Sequence, residues 1–130
     1  MSPNRIAALA TGSIFVLVGG AGIAVSATAG IEANTGAVLL WQLSTNVLLG
    51  SLHLVLGLVL LFAAWRGDRL ARTANVVAGG LLLGIGFFGL FAVGTPANLI
   101  ALNGADNVLH FAASTALLAT GLGAARATER

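Results

Sequence analysis

The chain contains no cysteine, no tyrosine and no lysine, and little charge of either sign. Without cysteine it can form neither disulfides nor thiolate metal sites, and it offers no cysteine nucleophile. Charged residues make up 8% of the sequence, against about a quarter in an ordinary soluble domain, so a water-soluble globular protein is excluded. The isoelectric point of about 11.3 comes from only six Arg set against four acids. Those bases are not gathered on one face of a soluble domain, the footprint of a nucleic-acid binder, so no nucleic-acid partner is expected.

What fills the chain is apolar: 58% of its 130 residues are hydrophobic, and the mean hydropathy is +1.00. Long charge-free runs lie between Arg5 and Glu32, Glu32 and Arg66, Arg72 and Asp106, and Asp106 and Arg126. A helix needs about 20 apolar residues to cross the hydrocarbon core, so each run supplies one span. The expected spans are Ile6–Ala29, Leu43–Trp65, Ala74–Val93 and Val108–Ala125. Asn34, Thr35, Gly36 and Gln42, and later Gly94, Thr95, Pro96, Asn98 and Asn103, mark connecting loops. The fold class is all-α: an integral membrane four-helix bundle forming one domain over 1–130.

Arg5, Arg66, Arg69, Arg72, Arg126 and Arg130 belong to the N-terminus, the middle loop and the C-terminus, whereas the other two loops hold only Glu32 and Asp106. The positive-inside rule then puts both termini and the Arg66–Arg72 loop in the cytoplasm. The expected location is a bacterial cell (inner) membrane, crossed several times. Trp41 and Trp65 are expected as interfacial anchors of the second span. Met1 to Ala29, ending in Ser26-Ala27-Thr28-Ala29, has the outline of a secretory leader. Its apolar stretch exceeds the usual 7–15 residues of such a leader, so a retained first span is expected.

Two halves, about 1–65 and 66–130, have similar features. Gly30-Ile31-Glu32-Ala33-Asn34 compares with Gly94-Thr95-Pro96-Ala97-Asn98, Gly19-Gly20 with Gly79-Gly80, and Asn46-Val47-Leu48 with Asn107-Val108-Leu109. Each half has one His in its second span, His53 and His110. Both halves begin on the same side, so two parallel helix-hairpin repeats are expected.

Small and polar residues recur at helical spacing. Asn46, Gly50, His53 and Gly57 share one face of span two, and Asp106, His110, Ser114 and Gly121 share a face of span four. Gly80 and Gly84 form a Gly-xxx-Gly pair in span three. Small residues at four-residue spacing let helix backbones approach closely, which drives packing in lipid. Gly50, Gly57, Gly80, Gly84, Ser114 and Gly121 are therefore expected to pack helix on helix inside the bundle.

His53 and His110 are the only ionisable groups within the apolar spans, and such a group is a functional candidate. Three readings stay open: imidazoles hydrogen-bonded to Asn46, Asn107 or Ser114; a haem-ligating pair; or groups lining a proton or solute path. Asp106 is expected to cap the fourth helix or face water, or to pair with His110 along one face. Gly19-Gly20-Ala21-Gly22 lies inside an apolar helix and fails as a nucleotide loop. No catalytic residue, no metal site and no resident cofactor is expected, haem being the one cofactor left open, and the chain is not expected to be an enzyme.

Asn103-Gly104-Ala105-Asp106-Asn107-Val108-Leu109-His110 resembles a motif of a family of small four-span bacterial membrane proteins, frequent in actinobacteria and classed as a domain of unknown function. In that family Asn-x-x-His opens the second and fourth helices. Asn107 and His110 match the fourth-helix copy. In Gly50-Ser51-Leu52-His53 the second copy has Gly50 where Asn is expected, and Arg66 to Arg72 resembles the family's basic middle loop. The likeness runs from about Trp41 to Gly123. It implies a four-span fold built by duplication and brings no known activity. The expected partners are membrane lipids and either other membrane proteins or further copies of the chain. The expected role is an accessory or assembly subunit of a larger complex, with a small oligomeric transporter or channel and a bis-His haem electron carrier as alternatives.

Overall fold

The computed structural model describes residues 1–28 and 36–127, with side chains as far as residue 123. It is mostly helical: α1 spans Pro3–Ser26, α2 Val47–Arg66, α3 Asp68–Ala92 and α4 Gly104–Ala127. Among the described residues α1, α2 and α3 are each long and apolar enough to cross a membrane. The fourth helix is as long, with 24 residues, but it opens on Gly104–Asn107, and its side chains past 123 lie outside the described set.

The all-α expectation needs one correction. Two short strands, β1 (Ala37–Leu39) and β2 (Leu43–Thr45), pair antiparallel with Ala37 opposite Thr45. Leu43, expected as the first residue of span two, is therefore in a strand, and the helix begins at Val47. Trp41, expected to anchor that helix, sits at the hairpin tip, 90% exposed. Leu40 and Trp41 both take left-handed backbone angles there. Neither is a Gly or Asn, the residues that usually signal such a turn, so the sequence marks a connecting loop at Gln42 but gives no sign of a hairpin. Trp65 does lie near the end of α2, packed on Phe62 beside Arg66. Glu32, Asn34, Thr35 and Arg130 lie outside the described residues, as does the Arg126 side chain.

The helix ends follow from local chemistry. Pro3 stands in the first turn of α1, where its missing N–H costs nothing, and Ser2 Oγ accepts the Arg5 N–H. The α2–α3 turn is a single residue. Gly67 adopts φ +133°, a region that other residues avoid, and its N–H closes α2 onto Ala63. The expected Arg66–Arg72 loop is thus already helical from Asp68. Ser2 also hydrogen-bonds to Asp68, Arg5 Nε donates to the Ala64 carbonyl and Arg72 Nε to the Gly121 carbonyl. These contacts gather the start of α1, the α2–α3 turn and the later part of α4 at one end of the bundle.

Packing is tightest within two hairpins, α1 against α2 and α3 against α4. Glycine makes the first possible. A Cβ on Gly57 would stand 2.7 Å from the Gly12 carbonyl oxygen, and one on Gly50 would stand 2.9 Å from the Ile23 nitrogen. In the second hairpin a Cβ on Gly79 would meet Leu118, and one on Gly121 would meet Val76. The buried apolar core holds Ala8, Phe15, Leu60, Ala64, Ala71, Ala78, Leu82 and Leu117.

The outer surface is the reverse of a soluble protein's. Leu17, Val55, Phe88 and Phe91 are exposed, while Asn4, Asn75, His53, His110 and Ser114 are buried. In water such an apolar exterior would aggregate; lipid is the solvent it suits.

Candidate functional site

His53 of α2 and His110 of α4 meet at the centre of the bundle. The backbones of α2 and α4 stay apart, and the two imidazoles bridge that diagonal with Nε2 to Nε2 at 2.9 Å. Both rings are buried, His110 completely. Phe15 packs on His53 with ring centroids 4.9 Å apart. For two neutral imidazoles, one Nε2–H donates to the other Nε2 lone pair, so the rings must be opposite tautomers. One Nδ1 then carries a proton and the other a lone pair, and neither Nδ1 has a partner among the described residues.

The expected partners of these rings are engaged elsewhere. Asn46 caps α2, its Oδ1 accepting the Leu49 N–H at 2.8 Å and its Nδ2 donating to the Leu99 carbonyl. Ser114 Oγ donates to the Gly79 carbonyl at 2.7 Å, tying α4 to α3. Asn107 lies against Gly89, where any added Cβ would collide with its amide, and its Oδ1 has no partner among the described residues.

Asp106 does not turn to His110. It forms a reciprocal capping box at the start of α4: Asp106 Oδ2 accepts the Asn103 N–H at 2.9 Å, and Asn103 Oδ1 accepts the Asp106 N–H at 2.9 Å. The same carboxylate accepts the Ser44 N–H, 3.2 Å away, and so fastens β2 to α4. Asp106 lies just before the apolar stretch of α4. Burial raises its carboxyl from the ordinary 3.8 to about 6, against the downward pull of the Asn103 and Ser44 donors. Asn46 and Asn103 thus play the same part, each a cap seven residues before a His.

At the opposite end, a cluster went unread in the sequence. Asn75 Nδ2 donates to the Asn4 carbonyl at 3.0 Å and lies 3.3 Å from Thr120 Oγ1. The signal was present: Asn75 is an isolated amide on the face of α3 that also carries Ala71, Ala78 and Leu82. Between this cluster and the His pair lie Phe15, Leu60, Leu82 and Leu117, each fully buried.

Of the six small residues expected to pack inside, Gly50, Gly57, Ser114 and Gly121 are buried. Gly80 and Gly84 are not. They face outward, and a Cβ on either would meet nothing within 4 Å. Their neighbours Gly79, Gly86 and Gly89 take the inner face of α3 instead.

A haem iron held between two imidazoles needs about 4 Å from nitrogen to nitrogen, at about 2 Å per metal–nitrogen bond. At 2.9 Å, His53 and His110 are spaced as a hydrogen-bonded pair, and this arrangement does not fit the group. Among the described residues no three His or carboxylates gather into a metal-binding cluster.

The sequence matches the family described as Domain of unknown function (DUF4383) over residues 5–123. The chain belongs to that family. No curated protein and no solved structure is significantly similar to it.

Proposed function

We propose that the chain is a non-catalytic, four-span protein of a bacterial cell membrane that acts as an accessory or assembly subunit, through helix association with other membrane proteins or with its own copies. The observation that carries this reading is the outward Gly80-xxx-Gly84 pair. Glycine in a helix interior is about 1 kcal/mol less favourable than alanine. At Gly79, Gly86 and Gly89 that loss is offset by the approach of α4. At Gly80 and Gly84 no contact among the described residues offsets it, whereas a second helix seated there would gain close backbone packing.

The gathering of Arg5, Arg66, Arg69 and Arg72 at one end supports a cytoplasmic placement for that end and the termini, with the hairpin and Asp106 outside. We also read the chain as two parallel hairpin repeats, α1–α2 and α3–α4. Buried Gly12, Phe15, Gly19 and Gly22 of α1 are answered in α3 by Gly79, Leu82, Gly86 and Gly89. Asn46, Gly50, His53, Gly57 and Leu60 are answered in α4 by Asn103, Asn107, His110, Ser114 and Leu117. This register replaces the Gly19–Gly79 and Asn46–Asn107 matches of the sequence.

The test is the size and composition of the particle released from native membranes in mild detergent. A large particle that loses its partners on Gly80→Leu and Gly84→Leu substitution supports the reading; a lone monomer, unchanged by them, counts against it. A transport path at the His pair is the second reading, favoured by the buried imidazoles. Phe15, Leu60, Leu82 and Leu117 close such a path toward the Arg-rich end, so it requires the core to open. Unchanged flux after substitution of both His would sink it.

A further inference from the structure

The bases at the end of the bundle where α2 turns into α3 do not all serve the fold. Arg5 Nε and Arg72 Nε are tied to the Ala64 and Gly121 carbonyls, and Asp68 takes the hydrogen bond from Ser2. Arg66 and Arg69 are exposed, and among the described residues neither makes a hydrogen bond or an ion pair. The Arg66 guanidinium lies 5.5 Å from the centre of the Phe62 ring, which holds it beside apolar surface and leaves its N–H donors unused. The single-residue turn brings the two bases together, because Gly67 at φ +133° lets α3 begin at Asp68. Arg66 and Arg69 then line one open cleft of about 630 Å³ with Asp68, Leu70 and Thr73. The positive-inside rule asks only that bases lie on this side. It does not ask for two unpaired guanidiniums in one cleft.

Surroundings select the ligand. Phe62, Trp65 and Leu70 are exposed beside the cleft, so it opens where apolar surface gives way to charge, the level of a bilayer's head groups. Thr73 of the cleft adjoins Ala74, which with Val59 forms the near end of an apolar groove between α2 and α3. A soluble anion would use the bases and leave this apolar border idle; a phospholipid uses both. We infer that the cleft at the α2–α3 turn is a binding site for an anionic phospholipid, its phosphodiester held by Arg66 and Arg69 and its acyl chains against Phe62, Leu70 and the adjoining groove. Each guanidinium presents paired N–H donors to phosphate oxygens. Four Arg stand against one Asp among the described residues at this end, which disfavours a zwitterionic head group, since that would bring its own cation against Arg66 and Arg69. The inference rests on the membrane placement of this end and not on the association reading.

The experiment uses the full chain with Trp41→Phe, which leaves Trp65 as the one Trp, in phosphatidylethanolamine vesicles. Trp65 fluorescence is followed as phosphatidylglycerol or phosphatidylethanolamine, brominated on the acyl chains, replaces the bulk lipid. Brominated phosphatidylglycerol is expected to reach half-quenching at about tenfold lower mole fraction, the order set by two Arg beside an anionic head group. Arg66→Gln/Arg69→Gln is expected to erase that difference. Arg126→Gln/Arg130→Gln, which removes the same charge near the C-terminus, is expected to keep it. The readout is a ratio between two lipids on one chain, so a change in Trp65 brightness does not alter it. Equal quenching by both lipids in the chain with all its Arg would overturn the inference. A preference that survives Arg66→Gln/Arg69→Gln, or falls equally in both Arg variants, would overturn the cleft as its source. Loss of the preference in millimolar inorganic phosphate at constant ionic strength would make the free anion sufficient and overturn the lipid.

Discussion

At the scale of single residues, the central feature is a hydrogen bond buried among apolar side chains. Removing one partner of the His53–His110 pair strands the other Nε2 in an apolar core, which costs about 1–3 kcal/mol. Replacing both with Leu removes the polar group altogether. The double variant His53→Leu/His110→Leu is therefore expected to melt closer to the parent than the two single losses added together. Additive losses in a double-mutant cycle would show that the rings do not depend on each other. Asp106 gives a prediction in pH. A folded-state value near 6 means the native state holds the proton more tightly than the unfolded chain does. That contribution is complete below the ordinary carboxylate value and is lost as pH climbs through about 6. Melting curves at pH 4.5 and 7.5 should show the parent gaining stability at the lower pH relative to Asp106→Asn; an identical pH response would contradict the assignment. The sequence singled out both His and the capping role of Asp106, because polar residues in apolar runs are conspicuous. It brought the two His together only as a haem-ligating pair and not as a direct hydrogen bond, since spacing along separate helices carries no information about how those helices cross.

At the scale of elements, glycine's role depends on which way it faces. A Cβ on Gly19 would press on the Gly50 carbonyl oxygen at 2.7 Å and on the Leu54 Cα at 2.9 Å, backbone that can yield only if the helices separate. Gly19→Ala is expected to cost about 1–3 kcal/mol. Gly20→Ala, one residue along, meets nothing within 4 Å and should be neutral or stabilising by up to about 1 kcal/mol. Thermal unfolding in one detergent separates the two; equal effects would refute the close α1–α2 contact. The helices themselves were legible because each is a long apolar run. The hairpin at Ala37–Thr45 was not, because its turn is built from Leu40, Trp41 and Gln42, and tertiary contacts such as Asp106 to Ser44 hold it. The tight α2–α3 turn was read as a longer loop because Asp68, Arg69 and Arg72 look like loop residues, though they form the first turns of α3.

At the scale of the whole molecule, most polar side chains of the helices lie inside, beside a small apolar core, and many large apolar ones face out. That inversion suits a lipid solvent, and Gly80 and Gly84 lie on its outer face, the seat we propose for another helix. The seat was visible in the sequence as a Gly-xxx-Gly pair, but its direction was not, since α3 carries glycine on two faces. Gly79, Gly86 and Gly89 take the inner face, against Leu118, Phe111 and Asn107 of α4. The most direct test of the association account uses the native chain's lack of cysteine. Single Gly84→Cys and Val55→Cys chains, the second on another exposed face of the bundle, are oxidised in native membranes and the products resolved by mass. The account predicts rapid cross-linking of the Gly84→Cys chain to a partner or a second copy, and little from Val55→Cys. Equal, slow cross-linking of both would mean that the Gly80–Gly84 face meets only lipid.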